Sequence, residues 1–99
     1  MNNDGSLPLL PAGASPVPVF NCIIALKTAS APGRIAAEVA NLDGISAEGT
    51  SERDVLTAVS RQFRDTVRAL VQEEQPIPWR DPDPILNNAD AVRYIPVHL

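Results

Sequence analysis

A single cysteine, a single histidine and only four aromatic residues (Phe20, Phe63, Trp79 and Tyr94) in 99 residues close off several chemistries at once. Cys22 has no partner for an intrachain disulfide, and within "FNCIIAL" it reads as a buried apolar thiol that suits a reducing cytosol. One Cys and one His do not make a zinc site. His98 is the penultimate residue, a poor place for the general base that a nucleophile needs. Basic charge is also short: eight Lys and Arg against twelve Asp and Glu give a net charge of −4, the wrong sign for a surface devoted to phosphates. No apolar run approaches the roughly 18 residues of a membrane span, and "MNNDGSLPLL" lacks the basic start of a secretory signal. These absences lead us to expect a cytoplasmic protein that is not an enzyme and uses no cofactor or metal.

What remains suits one small domain with an aliphatic core. Residues 1–18 hold Pro8, Pro11, Pro16 and Pro18 among Gly and Ser, a composition that favours an extended arm, although Leu7, Leu9 and Leu10 ask for somewhere to pack. Residues 19–99 form the domain. "VFNCIIALK" is apolar almost throughout and predicts a central strand. Past the Pro32-Gly33 turn, Ile35, Ala37 and Val39 alternate with Arg34, Ala36 and Glu38, as in a second strand with one wet face. "ISAEG" is a short third strand reached through a turn over Asn41 to Gly44.

Between Gly44 and Gly49 the glycine spacing invites a phosphate-loop reading. No Lys follows Gly49, however, and no G-x-G-x-x-G is present. Ser51 with Asp54 three residues on looks like a capping box, so the stretch serves as punctuation before a helix. Val55, Leu56, Val59, Phe63, Val67, Leu70 and Val71 then recur at helical spacing to about Glu74, with an Arg61 to Asp65 pair on the outside. Arg53, Arg61, Arg64 and Arg68 fall within roughly an 80° arc, which we read as a solvated face and not as a nucleic-acid stripe. "QPIPWRDPDPILNN" carries four prolines and predicts an irregular connection, after which "DAVRYIPVHL" is a last strand, at an edge because Pro96 lacks a donor.

The expected class is therefore α+β, in the order β-β-β-α-β. Three strands form an antiparallel meander, and one helix packed on the sheet crosses, right-handed, to a fourth strand beside the first. For function, the notable cluster is Trp79 with Glu73, Glu74, Asp81 and Asp83, where the tryptophan suits either a binding anchor or a closing piece of core. A carboxylate-only Mg²⁺ site from Glu38, Asp43, Glu48 and Glu52 is the enzyme alternative.

"GRIAAEVANLDGISAEGTSERDVL" resembles the strand-turn-strand-helix signature of HicB-like antitoxins. Gly33, Ile35, Ala37, Val39, Leu42, Gly44, Gly49, Ser51 and Leu56 stand at its positions, and "QPIPWRDP" is similar to the segment after the family's helix. Ala40, Asp43 and Ile45 depart from the usual Pro, Pro and Cys, and Arg53-Asp54-Val55 from Glu-Glu-Ala. The resemblance runs from about Val19 to Leu99. It implies a partial RNase H-like fold and a protein-binding role, the neutralisation of a small basic RNA-cleaving HicA-like toxin. The family's C-terminal DNA-binding module is expected to be missing, since the last strand ends the sequence. "VFNCIIALK" also lacks the aspartate with which ribonuclease H enzymes open, so a degenerate RNase H-like, metal-dependent hydrolase using Glu38, Glu48 and Glu52 ranks behind an orphan oligomeric structural or regulatory domain. A homo-oligomer, dimer or tetramer, in which the arm packs on a neighbouring chain is the structural alternative. No nucleic acid or membrane partner is expected.

Overall fold

The computed structural model describes residues 18–99, so the arm assigned to residues 1–18 lies outside the described residues except for Pro18. Val19–Thr28 (β1) is the longest strand, as its run of β-branched and apolar residues requires. It is flanked by Ile35–Val39 (β2) on one side and Ala91–His98 (β4) on the other, both antiparallel to it. Ser46–Gly49 (β3) pairs with β2, which gives the sheet order β3-β2-β1-β4. The chain is α+β, with β1 central and the proline-bearing β4 at an edge.

One face of this sheet carries Glu52–Gln72 (α1), about 31 Å long at 1.5 Å per residue. Its start is set by Ser51, whose Oγ accepts from Asp54 N–H at 3.1 Å; the reciprocal bond from the Asp54 side chain is not formed. Val55, Val59, Phe63 and Val67, four residues apart, are buried against Cys22, Ile24, Val39 and Leu42. Each such side chain contributes roughly 1.5–3 kcal/mol by leaving water. Val71, expected on the same stripe, is exposed, and Arg61 forms no ion pair with Asp65; Arg64 approaches Asp65 instead, at 4.0 Å.

Gly44 and Gly49 each have a conformational or steric reason. Gly44 turns the chain at φ 87°, a region costly for residues with a Cβ, and a Cβ on Gly49 would lie 3.2 Å from Val55, where β3 hands over to α1.

One expectation needs correction. β4 runs antiparallel to β1 and therefore also to β3, so the right-handed rule for crossovers between parallel strands does not govern this connection. The reason is that the chain returns twice: α1 runs down the sheet, and residues 73–90 climb back before β4 begins. The climb is not wholly irregular. Asp83–Leu86 (α2) forms one helical turn against β1, with Pro82 and Pro84 at its start. Asp90 then fixes the start of β4, its backbone N–H donating to Leu26 O at 2.9 Å and its carboxylate accepting from Thr28 N–H at 3.0 Å.

Candidate partner-binding surface

Two prolines, Pro76 and Pro78, bring the chain off α1 in an extended form and deliver Trp79 to the end of the sheet. There its backbone bridges to Leu42, and its ring tilts against Phe20 and Phe63 at centroid distances of 5.9 and 6.0 Å. Both readings of this residue meet in the geometry: one side of the ring closes the core, and the residue is still 45% exposed. Trp79 is thus an aromatic held in place by two others, with surface left to offer.

The acidic neighbours stay in solvent. Glu73 ends α1, its N–H donating to Ala69 O at 3.0 Å. Glu74 follows at φ 57°, and Glu74 N–H to Val71 O with Gln75 N–H to Leu70 O complete the helix-terminating pattern that ordinarily uses glycine. An acid here costs roughly 1 kcal/mol of backbone strain. Asp81 Oδ1 accepts from Asp83 N–H at 3.0 Å, and Asp83 opens α2. All four carboxylates are exposed, and none has an ion pair among the described residues.

Sequence reasoning missed the residue that positions this surface. Arg80, directly after Trp79, lays its guanidinium across the β2 end: Nε donates to Ala40 O at 3.0 Å, Nη2 to Val39 O at 2.9 Å and Nη1 to Asp43 at 2.9 Å, with Glu38 at 3.4 Å. Its N–H donates to Asn41 O at 3.1 Å. Asn41 in turn extends the ladder beyond β2, giving a side-chain bond to Asn21 O and accepting from Ile23 N–H. An arginine between two proline pairs was the only available signal.

The carboxylates of the hydrolase alternative are not brought together. Glu38 lies beside Arg80, Glu48 beside Arg34 at 3.7 Å, and Glu52 takes a two-pronged bond from Arg93 at 2.9 and 3.2 Å. By strand alternation Glu38 and Glu48 stand on the face opposite α1, whereas Glu52 is in the first turn of α1. Among the described residues no group of three or more His, Cys, Asp or Glu side chains is placed to hold a metal ion.

Cys22 sits in the core, fully buried, and burial pushes its thiol up to about 12 from an ordinary 9.0. Ellman's reagent should therefore leave the folded chain unmodified at pH 8 and react fully in urea. Because the folded pKa is the higher one, the unfolded chain ionises first as pH rises: the Cys22 contribution to stability is fully present well below pH 9.0 and is lost between there and about 12, by about 1.4 kcal/mol per pH unit. Urea midpoints across pH 8 to 11, with Cys22→Ala as the flat reference, check the sign.

A concavity of about 690 Å³ runs between α1 and β4 and is flanked by Arg53, Arg61 and Arg64. Three of the four helix arginines read from sequence as a solvated face thus edge a groove, created by the spacing of α1 from β4, while Arg68 stays on the solvated face. Among the described residues no helix is long and apolar enough to cross a membrane. No protein family, curated protein or solved structure matches the chain.

Proposed function

We propose that the chain is a non-enzymatic, cytoplasmic protein-binding domain of the HicB-like kind, which presents Trp79 to a small basic partner of the HicA-like, RNA-cleaving class. The observation that carries this reading is the half-exposed tryptophan braced by Phe20 and Phe63. A braced ring loses little side-chain freedom on binding, which is what makes aromatics effective interface centres. The acidic surroundings supply the charge sense. Glu73, Glu74, Asp81 and Asp83 are exposed carboxylates on a chain of net charge −4, and they would steer a basic protein toward the ring. Glu74 supports the same reading, since an acid occupies a backbone conformation that favours glycine.

Glu74→Gly separates structure from function. The variant should gain about 1 kcal/mol of stability by relieving the positive φ. It should also bind the partner about three- to fivefold more weakly, the scale of one lost rim charge. The measurement is calorimetry on the complex retained when the tagged full chain is purified from its source cell. Retention of no small basic protein at near-equal stoichiometry would remove the antitoxin reading.

A further inference from the structure

Among the described residues the Lys and Arg side chains of this acidic chain divide into paired and unpaired, and of the unpaired ones only Lys27 and Arg68 lie outside the α1–β4 groove. Arg34, Arg80 and Arg93, which serve the sheet, each face a carboxylate within 3.7 Å. The arginines along the α1–β4 groove are not neutralised in this way: Arg53 and Arg61 have no ion pair among the described residues, and Arg64 has only Asp65 at 4.0 Å. Inside the same groove Ser60 Oγ and Arg64 Nε are withdrawn from solvent without a hydrogen-bond partner among the described residues. Buried donors of this kind are ordinarily satisfied. The floor is apolar, made by Leu56 from the helix and by Ile95 and Val97 from the strand.

We infer that this groove binds an acidic peptide segment of a partner protein, with carboxylates on the arginines and aliphatic side chains on the floor. Charge complementarity selects the acid. The lining holds no Phe, Tyr or Trp, and a single imidazole, His98, is a poor platform for the successive bases of a single-stranded nucleic acid. Pro96 removes a donor from β4, so the groove, and not strand addition along a continuous β4 edge, is the receiving surface. From Arg53 to Arg64 the helix rises roughly 16 Å, which an extended peptide covers in about five residues. On such a peptide alternate side chains lie about 7 Å apart and share one face, so acids at alternate positions can follow the arginines while the residues between them meet the floor. The site is separate from Trp79 and opposite to it in charge, and its success or failure leaves the Trp79 reading untouched.

The probe is a fluorescein-labelled peptide of sequence Glu-Leu-Asp-Val-Glu, titrated with the full chain and followed by polarisation at two salt concentrations. Its neutral counterpart Gln-Leu-Asn-Val-Gln and a ten-residue oligo-dT are run alongside. The acidic peptide should bind best, weaken as salt rises, and shift the backbone amides of Leu56, Ile95 and Val97 in nuclear magnetic resonance spectra. Arg61→Glu with Arg64→Glu should weaken it about tenfold or more, whereas Lys27→Glu, an exposed cation outside the groove, should not. Circular dichroism confirms that each variant is folded, and the amide shifts in the unmodified chain stand even if one is not. Equal binding of the neutral peptide, tighter binding of oligo-dT, or shifts confined to other residues overturns the proposal. Tighter peptide binding by a Leu9→Asp, Leu10→Asp chain would assign the groove to the chain's own arm, and a peptide-independent doubling of mass abolished by the arginine variant would assign it to a second copy. Either result also overturns it.

Discussion

Phe63→Ala is expected to destabilise the protein by about 3–5 kcal/mol, a large share of the roughly 5–15 kcal/mol that a domain possesses. Phe63 is fully buried at the middle of the α1 stripe, between Val59 and Val67, and it is one of the two rings under Trp79. Few other large side chains are available to close over the space, because the rest of the core is Val, Ile, Leu, Ala and Cys22. Truncation therefore leaves a cavity in addition to losing transfer free energy. Urea unfolding should show a midpoint displaced sharply downward, with Trp79 emission in the surviving folded fraction shifted toward that of water-exposed indole. Phe63→Leu keeps much of the volume and should cost less than half as much. A Phe63→Ala chain within 1 kcal/mol of the parent would mean that α1 is not seated on the sheet as described.

Arg80→Ala carries the second large effect, about 2–3 kcal/mol, and it should be local before it is global. The side chain is 28% exposed and serves two backbone carbonyls, Val39 O and Ala40 O, that have no substitute donor of the same reach. Hydrogen bonds from a charged donor are worth more than neutral ones, and losing one leaves its acceptor poorly solvated. The contacts to Asp43 and Glu38 add little, since both carboxylates are largely exposed. Hydrogen exchange should report the variant through early loss of protection at Trp79 and Arg80 N–H, while the amides of β1 stay protected. Arg80→Lys should not rescue it, because an ammonium cannot span the carbonyls as the planar fork does. Arg34→Ala, which breaks an exposed 3.7 Å pair, is the control and should fall within about 0.5 kcal/mol.

Those two residues mark what was and was not legible in the sequence. Phe63 lies on a helical repeat that begins at a recognisable cap, so its burial follows from spacing alone. The same is true of Pro96, which could not sit inside a sheet, and in part of β1, whose nearly continuous apolar run marks the central strand. Only the α1 face of β1, with Cys22, Ile24 and Leu26, is well covered, while Val19, Asn21 and Lys27 are exposed on the other. Arg80 belongs to no repeat. Its role depends on the turn after β2 ending beside the connection after α1, a tertiary coincidence without a local signal. The direction of β4 was hidden for a related reason: four prolines announce an irregular link, and its net travel depends on where Arg80 and Asp90 pin it. Val71 shows the limit of periodicity, being on the helical stripe yet exposed beyond the last core contact at Val67. The candidate surface was half legible. Trp79 and its acids stand out by composition, but that the ring both closes the core and faces outward is a matter of packing, and the groove arginines gain meaning only once β4 lies beside them.

Trp79, proposed as the anchor for a basic partner, is the only tryptophan, so its own fluorescence reports whether a partner covers it. The full chain would be titrated with whatever small basic protein is retained when the tagged chain is purified from its source cell, recording emission wavelength and acrylamide quenching at each step. Burial of the exposed part of the ring predicts a blue shift and a quenching constant that falls in step with complex formation. A complex that forms while both remain unchanged would contradict the account.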